Sequence, residues 1–120
     1  MAEPSPATMH VADLDGAGFP DGDLWRAFLT VTVSASDGVP ISGATIAMSV
    51  WLEGNLWAKT ICTTDASGRC VVSPSVRPLI TGIVFRVEGM VHSNFVYQPA
   101  HNTDPDADSD GTQIKISRPW

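Results

Sequence analysis

Hydrophobic and polar residues alternate with a period of two along most of the chain. In "WRAFLTVTVSAS", residues 25–36, Ala27, Leu29, Val31, Val33 and Ala35 alternate with Arg26, Thr30, Thr32 and Ser34. Successive side chains of a strand point to opposite faces, so this pattern predicts a strand with one buried face. "ATIAMSVWL" sets Ile46, Met48, Val50 and Leu52 against Thr45, Ala47, Ser49 and Trp51. "GIVFRVE" sets Ile83, Phe85 and Val87 against Val84, Arg86 and Glu88, and "TQIKISR" sets Ile114 and Ile116 against Gln113, Lys115 and Ser117. Shorter strands are expected at about 8–14, 56–64, 69–73 and 91–97. No window carries a helical stripe of useful length.

Turn residues punctuate this pattern. "SDGVPISG" joins the second and third strands, with Pro40 stiffening the loop. "DASG" is a turn between the cysteines, and "EGN" and "EGM" read as tight reversals. Short strands spaced by such turns predict an all-β chain, an antiparallel β-sandwich of about seven or eight strands. The single domain is expected to cover residues 8–120, with 1–7 as a Pro/Ser-rich linker. The start "MAEPSPAT" has neither a basic nor an apolar region, so it is not a signal peptide. It reads as an initiator Met on a linker, from an excised segment or a mature form without its leader.

Charge narrows the function classes. Thirteen acids against seven bases give a net charge of −6. No basic stripe exists to bind nucleic acid, and no polybasic cluster to hold a membrane surface. No apolar run reaches the ~18 residues that would span a bilayer. Eight of the thirteen acids fall in two stretches: Asp13, Asp15, Asp21 and Asp23, and Asp104, Asp106, Asp108 and Asp110. Such clustering marks a candidate site. Cys62 and Cys70 flank "TTDASGR". They either form a bridge, for which the spacing suits a cross-strand pair over a hairpin, or remain buried thiols. A bridge implies an oxidising, extracellular compartment. Two thiols at this spacing lack zinc-site geometry.

The stretch "VTVSASDGVPISGATIAMSVW", followed by "TTDASGRCVV", resembles the bacterial Ig-like modules of secreted and surface proteins, including invasin/intimin-type repeats. His10–Gly16, Cys62–Cys70 and Asp104–Thr112, with Arg118 and Pro119 at the end, are similar to accessory modules C-terminal in secreted bacterial peptidases. The likeness runs from about residue 9 to 119. It implies an Ig-like sandwich in an extracellular or cell-surface protein and no catalytic residues. "MSVWLEGNLW" departs from it, being more apolar than that hairpin would require.

Calcium takes six to eight oxygens, and carboxylates one residue apart can converge on one ion. Asp106, Asp108, Asp110 and Gly111 match the opening of an EF-hand loop, but its twelfth position is Ser117 and a strand follows. An EF-hand is therefore rejected, whereas a calcium loop completed by Asp13 and Asp15 remains. The competing reading is a solvated turn-rich loop. If the first and last strands run parallel, the acidic groups lie at opposite poles and form two sites. If antiparallel, they can share an ion. All-oxygen ligands favour a hard cation, and His10 and His101, each beside a turn, read as surface or hydrogen-bonding residues.

No nucleophile motif is present, and the acids lack a cleft to act as a glycosidase pair. Lys115 lies on a polar face, unsuited to an internal isopeptide. Trp51 and Trp57 are candidates for an exposed aromatic face that stacks on glycans or meets a neighbouring domain or subunit; the competing reading is simple packing in the core or at a sandwich edge. The expectation is a non-catalytic, calcium-stabilised extracellular module acting as a spacer or interaction unit. The alternatives are a carbohydrate-binding module using Trp51 and Trp57, and a filament subunit with contacts through those residues or the terminal "SRPW".

Overall fold

The computed structural model describes residues 7–103 and 111–120. Among these residues the chain is all-β, with two sheets packed face to face and a single 3₁₀ turn at Pro99–His101. Strands β1 (Thr8–Asp21), β2 (Leu24–Ala35), β5 (Arg69–Val72), β6 (Ser75–Val76) and β8 (Val96–Tyr97) make the first sheet, in the order β5-β2-β1-β8 with β6 also on β2. Strands β3 (Thr45–Leu52), β4 (Asn55–Thr63), β7 (Gly82–Val91) and β9 (Gln113–Ser117) make the second, in the order β4-β3-β7-β9. The two-residue β6 and β8 are too short to show a periodicity.

The alternating residues meet between the sheets. Ala27, Leu29, Val31 and Val33 of β2 face Ile46, Met48 and Val50 of β3, Ile83, Phe85 and Val87 of β7, and Ile114 and Ile116 of β9, all buried. Burial of a side chain of this size stabilises by ~1.5–3 kcal/mol, so this layer is the main source of cohesion. The β3–β4 hairpin turns on Glu53 and Gly54, both at positive φ (52° and 83°), as a two-residue primed turn requires.

Three local expectations are corrected. The first strand continues past residue 14, and Asp13 and Asp15 belong to a strand and not to a Gly-rich acidic loop. A register shift between Val11 and Asp13 inserts an extra residue. Met9, Val11 and Asp13 would otherwise share the inner face. The bulge turns Leu14 into the core and sets Asp13 opposite Thr32 on the outer face. Farther along, Gly16 and Gly18 occupy inward positions without side chains because β9 lies directly against them.

"EGM" is likewise no reversal. It lies within β7, where Val87 pairs with Met48 and Gly89 with Ala47, leaving Glu88 as the extra residue of a bulge. The 91–97 strand shrinks to Val96–Tyr97, because Ser93 and Asn94 turn the chain across to the other sheet.

Cys62 and Cys70 form a disulfide with Cα atoms 5.9 Å apart. It is not a cross-strand pair within one ladder. Cys62 lies in β4 of the second sheet and Cys70 in β5 of the first, so the bond fastens the sheets at one edge. In the turn between them, Asp65 accepts hydrogen bonds from the Ser67 hydroxyl and from the Ser67 and Arg69 amides. The Ser67 hydroxyl, then those amides, hold its carboxyl below the usual carboxylate range. Exchanging both cysteines for serine is expected to cost about 2–3 kcal/mol, the chain-entropy value for so short a loop. Thermal melts should show the variant matching the reduced wild type, both below the oxidised protein. Coincident melts of oxidised and reduced wild type would refute the stabilising role.

Candidate functional site

Two regions gather polar side chains in a way the fold dictates. The first lies where the chain passes from the 3₁₀ turn towards β9. Asn102 is its centre. Its Oδ1 accepts the Val11 amide (2.8 Å), and its Nδ2 donates to the Tyr97 hydroxyl (2.6 Å) and to Thr112 Oγ1 (3.1 Å). One amide thus ties β1, β8 and the approach to β9. Burial pushes the Tyr97 hydroxyl up, partly offset by the Asn102 bond. The Thr103 amide donates to the Val11 carbonyl (2.9 Å) and its hydroxyl to the Ala12 carbonyl (3.2 Å). Gly111 packs so closely on Asn102 and Thr103 that a Cβ there would lie 2.9 Å from the Thr103 nitrogen.

Asp104, Asp106, Asp108 and Asp110 lie outside the described residues. Of their flanking residues, Thr103 is bonded to Val11 and Ala12, immediately before Asp13, and Gly111 packs on Thr103. The strand directions explain this. Gly16 meets Ile114 and Ile116, and Gly18 meets Ser117, so β1 and β9 run the same way. That arrangement was expected to send Asp13 and Asp15 to the far pole. It does not, because β1 extends to Asp21 and leaves both mid-strand. Asp13 is next to the anchor. Asp15 is two residues further on, opposite Thr30, beside a shallow depression walled by Phe19 and Phe28. Among the described residues, no group of three or more His, Cys, Asp or Glu is placed to hold a metal ion.

His10 and His101 are brought together, with ring centroids 6.4 Å apart and planes nearly perpendicular. Burial, then the charge of His101, lowers the His10 pKa below its usual value. Its Nδ1 is buried without a hydrogen-bond partner among the described residues.

The second region is the outer face of the β4-β3-β7-β9 sheet. Strand register sets Lys59, Ser49, Arg86 and Gln113 side by side across its four strands. The next row is Leu56, Trp51, Val84 and Lys115. The Trp51 indole donates to Ser49 Oγ (2.9 Å), and Ser49 donates to Glu88 Oε1 (2.6 Å). Arg86 Nε lies 3.8 Å from the same oxygen. Half-buried Trp51 separates two depressions. One, of about 590 Å³, has Ser49, Leu56, Lys59 and Glu88 in its walls, and the other, of about 290 Å³, has Val84, Arg86 and Gln113.

Trp57 does not join Trp51. A register shift makes it the bulge residue of β4, and it lines clefts at the seam between the sheets with Phe85, Pro74 and Ile80. Trp25 is wholly buried, and Trp120 lies exposed under the Arg118 guanidinium, 5.5 Å from its ring. Sequence reasoning did not single out Asn102, Lys59 or Ser49. The last two sit on the polar phase of their strands, but which residues align across strands is set by register. No signal in the sequence reveals the Glu88 bulge.

No family model matches the chain, and neither the curated proteins nor the solved structures hold a match to it. Nothing in these comparisons identifies an invasin- or intimin-like module.

Proposed function

We propose that the chain is a non-catalytic Ig-like module of a secreted or cell-surface protein, a spacer or interaction unit next to another domain or subunit, stiffened by calcium. The observation that carries this reading is the strand order. The order β5-β2-β1 opposite β4-β3-β7-β9 supports it, since an Ig-like Greek key would set its E-B-A and C′-C-F-G strands this way; β8 beside β1 and β6 beside β2 are additional to that pattern. The disulfide supports an oxidising compartment. Among the described residues no helix is long and apolar enough to cross a membrane.

Calcium fits the chemistry of the acids: hard carboxylate oxygens in Asp104, Asp106, Asp108 and Asp110, with Asp13 and Asp15 on the neighbouring strand. The bonding of Thr103 beside Asp13, with Gly111 packed on Thr103, supports a site shared between the segment and the strand. The ion would offset the repulsion of the carboxylates and tie the segment to β1. Thermal melting with calcium and with a chelator tests this. A ligand at ~100 times its Kd stabilises the native state by about 2.7 kcal/mol. The midpoint should rise with calcium in the wild type and stay put when Asp108 and Asp110 are both replaced by Asn. A wild-type midpoint indifferent to calcium would remove the ion from the reading.

A further inference from the structure

The outer face of the β4-β3-β7-β9 sheet has a composition unlike the rest of the chain. The protein carries −6 overall, yet three of its seven basic residues, Lys59, Arg86 and Lys115, project from this one face. The acid among them, Glu88, is already engaged by the Ser49 hydroxyl and by Arg86. The face therefore presents a local positive excess next to an indole. We propose that it binds an acidic oligosaccharide, a chain of uronate or sulfated sugars lying across Trp51.

The chemistry of each row supports that ligand. The bond from Trp51 Nε1 to Ser49, two residues back on the same strand, fixes the ring along the sheet. A fixed aromatic ring loses little entropy when the apolar face of a pyranose packs on it. The adjacent row supplies what sugar hydroxyls and carboxylates need: an ammonium on β4 and a guanidinium on β7, with Ser49 of β3 between them. Neighbouring strands lie about 4.8 Å apart, so these donors are spaced over a length that suits more than one sugar ring. The depressions on either side of Trp51 give such a ligand two places to sit. The larger lies within the ~300–1,000 Å³ of ordinary ligand sites. An apolar protein partner fits less well, since it would bury the Lys59 and Lys115 ammonium groups without supplying counter-charges, which is costly.

A glycan array carrying neutral, uronate and sulfated oligosaccharides tests this, followed by calorimetry with the strongest acidic binder. Binding should be confined to the acidic glycans and weaken as salt is raised. Trp51→Ala should weaken it roughly tenfold or more. Lys59→Gln, on an exposed position of an edge strand, should weaken it several-fold and flatten the salt dependence without lowering the melting midpoint. Absence of any glycan binding, equal binding of neutral glycans, or acidic binding untouched by both substitutions would overturn the proposal. None of these outcomes depends on calcium, so the two readings stand or fall separately.

Discussion

Replacing Trp25 with alanine is expected to destabilise the protein by about 3–5 kcal/mol, the cost of deleting a large aromatic from a packed core. Trp25 is fully buried at the start of β2, where its ring lies against Gly18 and its indole donates to the Ile80 carbonyl at 3.0 Å. The loss has two parts. Removing the ring leaves a cavity that flanking strands, fixed by their ladders, cannot fill. Removing the donor leaves the Ile80 carbonyl short of a partner, at about 1 kcal/mol. Trp25→Phe separates them, keeping most of the packing and losing the hydrogen bond. Since small domains are stable by only about 5–15 kcal/mol, the alanine variant should be partly unfolded at moderate urea concentrations. Equilibrium urea unfolding measures the difference. A variant within about 1 kcal/mol of wild type would contradict the inward placement of Trp25.

Gly18→Val should cost about 3 kcal/mol, the upper end of the range for overpacking. A Cβ at Gly18 would stand 2.6 Å from the Ser117 carbonyl oxygen, a backbone atom held in the β7–β9 ladder. Relief requires the sheets to separate. Gly16 is the comparison. A Cβ there would meet Ile116 Cγ1 at 2.5 Å, but that is a side chain able to turn aside. Gly16→Ala should therefore be milder than Gly18→Ala, as read from melting midpoints. The reverse order would show that β9 does not cross β1 where the structure sets it.

These glycines show where the linear pattern stops being informative. In "DLDGAGFPDGD" the acids and glycines look like a loop, because a loop and a strand under close contact both favour residues without side chains. The contact with β9 is about a hundred residues away in sequence and leaves no local trace. The bulges at Ala12 and Glu88 are similar. Each adds one residue, reverses the inside–outside assignment beyond it, and follows from packing that no window of the chain contains. Trp51 and Trp57 were separated by the same device, a bulge that directs one to the sheet face and the other to the seam.

By itself, the sequence determined the all-β class, the inner faces of β2, β3, β7 and β9, and the cysteine pair as a candidate bridge. Those features depend on side-chain periodicity and turn chemistry, which are local. Only the tertiary structure decided that the disulfide joins two sheets, that Asn102 anchors the approach to β9, that Asp13 lies beside that anchor, and that Lys59, Ser49, Arg86 and Gln113 form one row. Each of these depends on register between strands distant in sequence, and register is set by how the two sheets pack.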